Sequence, residues 1–207
     1  HLSGENITKI KGVFSGTLSY IFNTFSVENR SFSEVLKTEM NKGFTEPDPR
    51  DDLSGTDVAR KLLILARELD LQNELEEINI QNLIPKAFQP LAIADFLNRL
   101  EELNNYYNNI KQELNPNEVL RYIGELSGDL QQNKGFLETK LVKVDKNSPL
   151  GQLSGSDSLF EIYTESYTRC RCWSKCNSTG SFWRYFTIGR KEINLNFSKV
   201  LSFGKVY

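Results

Sequence analysis

The stretch Gly43-Phe-Thr-Glu-Pro-Asp-Pro-Arg-Asp-Asp-Leu-Ser-Gly-Thr-Asp-Val-Ala-Arg-Lys61 decides how this chain is read. It holds five carboxylates, two prolines and three cations in nineteen residues, and runs on into an apolar periodic segment. Glu46 and Asp48 each precede a proline, which disfavours the α region and holds both extended. Pro47 and Pro49 fix their own φ. A loop restrained in this way presents its acids with little entropy left to lose, as a binding site requires. Ser54 and Asp57 match a Ser-x-x-Asp capping pattern, which predicts a helix beginning there. Its apolar stripe is Val58, Leu62, Leu65, Ala66 and Leu69. Asp57, Arg60, Lys61, Arg67 and Glu68 take the opposite arc, with Asp57 and Lys61 one above the other.

Three readings of these residues stand side by side. Asp57 can be only a capping acid, and Asp57–Lys61 only an exposed pair worth about 0.3–0.5 kcal/mol. Proline-fixed acids leading to a lysine one turn into a helix also suit a catalytic or ligand site. Asp48, Asp51 and Asp52 form the third candidate, a divalent-cation site, although the glycine and twelve-residue layout of a calcium loop are absent.

Upstream, Ile7 to Phe14 reads as a buried strand ending at Ser15-Gly16-Thr17, and Leu18, Ile21, Phe22 and Phe25 mark a helix. A strand feeding a helix N-terminus leaves outward N–H groups at Gly16 and Thr17, an anion seat; a plain capped turn is the simpler reading of the pattern alone. Ser31 to Glu34 is a capping box for a helix bearing Phe32, Val35, Leu36 and Met40. Lys42-Gly43 ends it.

Downstream, Asp70 to Pro90 is a polar connection with a short strand around Ile78, Ile80 and Leu83. One long helix is expected over Ile93, Phe96, Leu97, Leu100, Leu103, Tyr107 and Ile110, stopped at Asn115-Pro116. Tyr106 and Tyr107 read as packing residues. Strands follow at about 118–126, 136–145 and 158–166, the first two joined by a turn at Asn133-Lys134-Gly135. Phe160, Ile162 and Thr164 alternate with Glu161, Tyr163 and Glu165, as on a sheet with one wet face. The fold class is therefore α/β of the α+β type, with helices on one face of a mixed, largely antiparallel sheet.

The opening stretch and Gly12-Val-Phe-Ser-Gly-Thr-Leu-Ser-Tyr-Ile-Phe-Asn23 together resemble the two substrate-domain blocks of homoserine dehydrogenase, especially the form fused to aspartokinase. The likeness covers roughly residues 4–168. It implies reversible hydride transfer between NAD(P)H and the C4 carbonyl of aspartate 4-semialdehyde, giving homoserine. Lys61 would then be the catalytic proton donor or a charged stabiliser of the oxyanion, two roles the sequence leaves open. Glu46 and Asp57 would hold the substrate's ammonium and hydroxyl, with Asp52 supporting. Gly16 and Thr17 would seat its carboxylate, and Gly43 would lie close to the nicotinamide of NADP or NAD. No Gly-x-Gly-x-x-Gly occurs in the chain, so a Rossmann cofactor domain is expected upstream of His1, and the resemblance implies a second lysine and a monovalent-cation site there as well. Isolated, the chain is expected to be inactive. The sheet is expected to carry a homodimer or higher homo-oligomer contact.

Composition bounds the alternatives. The 207 residues carry 25 basic against 27 acidic side chains, which argues against nonspecific nucleic-acid binding. No apolar run is long enough for a membrane span, and the first residues lack a signal-peptide layout. His1 is the only histidine, excluding histidine triads and histidine metal sites. Cys170, Cys172 and Cys176 are too bunched and odd in number for a disulfide framework, and too few for tetrahedral zinc. Reduced thiols and a cytoplasmic location are the expectation.

Residues 1–168 thus read as the catalytic and substrate domain, and residues 169–207 as an atypical tail of low order. All three cysteines and both tryptophans fall in that tail. The resembled family continues with a glycine-rich segment; the abrupt change of composition here suggests that part of the tail is translated in a shifted frame or comes from an error in the underlying sequence. From another class, the rival to an enzyme is a noncatalytic dimerisation module with a solvated acidic loop.

Overall fold

Ile7 and Ile10 are buried in Ile7–Gly12 (β1), which pairs on both sides inside a sheet, and the chain turns directly into helix α1 (Gly16–Val27). The computed structural model describes residues 6–130 and 133–165 in full, and three later strands as backbone. After α1 come α2 (Phe32–Asn41), α3 (Pro49–Leu53), α4 (Thr56–Glu68), β2 (Asn79–Ile80), α5 (Ile93–Asn98) and α6 (Leu103–Gln112). The strands β3 (Glu118–Ser127), β4 (Phe136–Asp145) and β5 (Ser158–Thr164) complete the full description. Three backbone strands follow: β6 (Cys170–Ser174), β7 (Phe186–Ile188) and β8 (Lys191–Ile193). The main sheet runs β2-β4-β3-β1-β5-β6, and β7 pairs with β8. Only the β2–β4 pairing is parallel, so the sheet is mixed and largely antiparallel as the patterning implied.

The helices cover one face. Ile10, Leu120, Tyr122, Leu126, Leu137, Phe160 and Ile162 from the strands bury against Leu18, Phe22, Phe25, Val58, Leu62 and Leu65. Each such burial contributes roughly 1.5–3 kcal/mol. Phe32 of α2 and Tyr107 of α6 stack at 3.6 Å, and the Tyr107 hydroxyl donates to the Leu83 carbonyl at 2.6 Å. Tyr107 is thus a packing residue. The capping box at Ser31 and Glu34 is present in both directions.

Three sequence expectations are corrected. Ser54 is not the N-cap of α4: Gly55, at φ 76°, holds that position without a side-chain bond, while the Ser54 hydroxyl donates to the Asp51 carbonyl and accepts from the Thr56 N–H at 3.2 Å. The loop therefore contains a helix of its own, α3, capped by Asp48 with Pro49 at its first position. The long helix is two, α5 and α6, joined by a 3₁₀ turn at Leu100–Glu102. The tighter turn keeps Phe96, Leu100, Leu103 and Tyr107 on the core while Ile93 stays exposed. Periodicity does not register that change of pitch.

The second face of β5 is not uniformly wet. Glu161 is buried beside Lys11, 3.5 Å away, and accepts from the Tyr163 hydroxyl at 3.0 Å. Nearby, Val13, Ile123, Leu150, Leu153 and Leu159 form a second apolar cluster under the 146–157 segment. A strand inside the sheet has covered neighbours on both sides, which alternation alone does not reveal. Of the tail, β6 pairs antiparallel with β5. Cys176, much of the tail with the suggested frame change, and the apolar run at 200–203 lie outside the described residues, as does His1.

Candidate active site

Two contacts draw together the segments 12–23 and 43–61, which are distant in sequence. Lys61 Nζ donates to the Phe14 carbonyl at 3.3 Å, where β1 gives way to α1. The Thr17 hydroxyl donates to the Phe44 carbonyl at 2.8 Å. Ser15 caps α1 by accepting from the Leu18 N–H, and Gly16 and Thr17, both half-buried, open that helix. The Thr17 proton is spent on the loop, so its remaining capacity is that of an acceptor.

Lys61 and Asp52 each make a contact in this region. Lys61 is buried, although a helical wheel puts it on the polar arc, and its Nζ lies 2.6 Å from Asp57 Oδ2. An ammonium has three donors; Asp57 and Phe14 engage two. Asp52 Oδ2 accepts from the Glu46 N–H at 2.9 Å, tying the loop to α3. The Glu46 side chain is exposed at the rim. Gly43 is exposed too, at φ 71°, and a Cβ added there would meet nothing within 4 Å.

Burial is the main cause that raises the Asp52 carboxyl from 3.8 to about 6, and repulsion from Glu46, Asp57 and Asp51 adds to it, against the Glu46 N–H. A raised folded-state value favours the neutral acid. Its stabilising contribution is present below about 3.8 and is lost as pH rises through about 6. Carboxyl-carbon NMR is expected to give a midpoint near pH 6 for Asp52. Asp52→Asn should stabilise the fold more at pH 7 than at pH 4.5 in urea denaturation. An Asp52 midpoint near 4 would contradict the burial argument.

Sequence reasoning missed several parts of this arrangement. Arg50 clasps Asp48, with Nη2 to Oδ2 at 2.6 Å, and reaches the Leu91 carbonyl at 2.6 Å, so the loop is anchored on the start of α5. Arg50 holds the Asp48 carboxyl below its usual range, which leaves that acid committed to structure. No group of three or more acidic, histidine or cysteine side chains that could hold a metal ion occurs among the described residues. The Ser54-Gly55 pair carried a legible signal, since glycine just past a helix is the usual left-handed stop. Nothing in the sequence pointed to the Phe14 carbonyl.

Comparison with known proteins gives a consistent result. The family model for homoserine dehydrogenase matches residues 1–179. A bifunctional aspartokinase/homoserine dehydrogenase of Arabidopsis thaliana is 48% identical over 167 residues, covering 80% of this chain and 18% of the relative. The Saccharomyces cerevisiae homoserine dehydrogenase is 40% identical over 172 residues, covering 80% of this chain and 47% of the relative. Among solved structures, a Candida auris protein of unknown function superposes with TM-score 0.70 at 39% identity, over 80% of this chain and 47% of that one. An S. aureus homoserine dehydrogenase shares the fold, with TM-score 0.61 at 19% identity over 84% and 39% of the two chains. The chain thus spans about a fifth to a half of the length of these relatives. No described helix is long and apolar enough to cross a membrane.

Proposed function

The chain belongs to the homoserine dehydrogenase family, and on that premise we propose that it is the substrate-binding and catalytic part of an NAD(P)-dependent homoserine dehydrogenase. The observation that supports the reading is the burial of Lys61 against Asp57 and the Phe14 carbonyl beside the opening of α1, with Asp52 bound to the Glu46 N–H. The substrate is homoserine in one direction and aspartate 4-semialdehyde in the other. When bound, the nicotinamide supplies or accepts the hydride. Its binding domain lies outside these residues, and the open flank of Gly43 suits the approach of a flat ring.

Each residue then has a task. Lys61 Nζ, with one donor left, gives a proton to the oxygen at C4 as the alkoxide develops, and takes it back in the reverse direction. Asp57 aims that ammonium by its 2.6 Å contact. Glu46 and Asp57 receive the substrate's ammonium and hydroxyl, with Asp52 holding the Glu46 backbone. The N–H groups of Gly16 and Thr17 face the carboxylate. A cytoplasmic homodimer or higher homo-oligomer with the sheet at its contact, and NADP or NAD as the nucleotide, complete the proposal. So does the division at about residue 168 into catalytic domain and tail.

The test is direct. The full-length protein, given homoserine and NADP⁺ or NAD⁺, is expected to reduce the nucleotide, while the 207-residue chain alone turns over almost nothing. Calorimetric titration of the chain with homoserine should still give a response. Silence in both assays would favour the noncatalytic dimerisation module.

A further inference from the structure

Tyr122 stands where four segments meet. Its ring is buried on the helix side of β3, and its hydroxyl donates to the Gln81 carbonyl at 2.8 Å with Thr139 Oγ1 at 2.9 Å. Gln81 is itself bound to β4, through its N–H to the Thr139 carbonyl at 2.9 Å and its Oε1 to the Leu141 N–H at 2.8 Å. Burial pushes the phenol up to about 12, so it stays a protonated donor at any working pH. This oxygen is a fixed post.

Gly55 rests against the post. A Cβ at Gly55 would lie 2.0 Å from the Tyr122 hydroxyl oxygen and 2.9 Å from its Cζ, with φ at 76°. Gly55 is the pivot between α3 and α4. Asp52 lies three residues before it and Asp57 two after. On the α3 side, the Leu83 N–H donates to the Leu53 carbonyl at 3.0 Å, so the post and this bond fix the pivot together.

We propose that Tyr122 is a positioning residue for the amino-acid site: its hydroxyl seats the Gly55 pivot and so sets how Asp52 and Glu46 face Asp57 and Lys61. The inference rests on the dehydrogenase reading. Tyr122 lies beneath the pivot and reaches substrate only through it. A shift of the acids by about 1 Å is enough to cost on the order of 10²-fold in rate.

The experiment uses the full-length protein as wild type, Tyr122→Phe, Gly55→Ala and the double variant. Tyr122→Phe keeps the ring and removes only the post. It should lower kcat/KM for homoserine by about 10- to 100-fold, leave KM for the nucleotide within about twofold, and move the acidic limb of the pH profile. Gly55→Ala should be impaired as well. The double variant should lose less than the product of the two single losses, because the added methyl no longer meets the oxygen. A purely structural role predicts instead that folded yield and both KM values change together and that the single losses multiply. An active wild type, with Tyr122→Phe inside twofold in kcat/KM and unchanged in pH profile, overturns the positioning role alone. A wild type that leaves homoserine untouched overturns the functional reading, and this inference with it.

Discussion

Lys61→Ala in the full-length protein is expected to lower kcat for homoserine oxidation by at least about 10², the low end for a positioned acid–base group. That loss corresponds to about 2.7 kcal/mol of barrier. The structural reason is the confinement of the ammonium. It is buried, held by Asp57 at 2.6 Å and by the Phe14 carbonyl at 3.3 Å, and set one turn into α4. Lys61→Arg retains the charge but spreads it over a planar fork that does not fit a point-charge site, so it should recover little. Steady-state kinetics with circular dichroism as a control for folding measures the effect. A folded Lys61→Ala enzyme with kcat unchanged would remove Lys61 from the chemistry.

Arg121→Leu should produce the largest loss of stability, roughly 3 kcal/mol or more. The Arg121 side chain, 1% exposed, donates to the carbonyls of Leu150 (2.8 Å), Leu120 (2.6 Å), Gly151 (2.8 Å) and Leu153 (3.3 Å). Burial draws its guanidinium down to about 10, so it remains charged at neutral pH. One cation thus satisfies a set of inward carbonyls in the 146–157 segment that covers the second sheet face. A leucine leaves them without donors, at roughly 1–3 kcal/mol for each carbonyl that water cannot reach. Across a domain of this size, 3 kcal/mol is roughly 6–12 °C in Tm. Thermal denaturation that moves by less than about 2 °C would refute the account. The same segment accepts from α1, through Asn23 to the Gly155 carbonyl and Ser19 to the Asp157 carbonyl. Its loosening should therefore also disturb the helix that carries Gly16 and Thr17.

What the sequence determined by itself was local. The proline after Asp48 that holds it extended, the Ser31–Glu34 box and the stripe from Val58 to Ala66 fix conformation over a few residues, and they appear as read. The acids, the lysine one turn on and the glycine-threonine helix start were legible for the same reason: each is a matter of spacing along one element. Tertiary structure decided the rest. The wheel placed Lys61 on the polar arc, yet the neighbouring strand end buries it and supplies a carbonyl. Ser54 looked like a cap, but the Tyr122 hydroxyl beneath Gly55 marks where one helix stops and the next begins. A lone arginine in β3 became the centre of a loop 30 residues away. Burial and long-range hydrogen bonds depend on which surfaces meet, and periodicity within one segment carries no information about its partner.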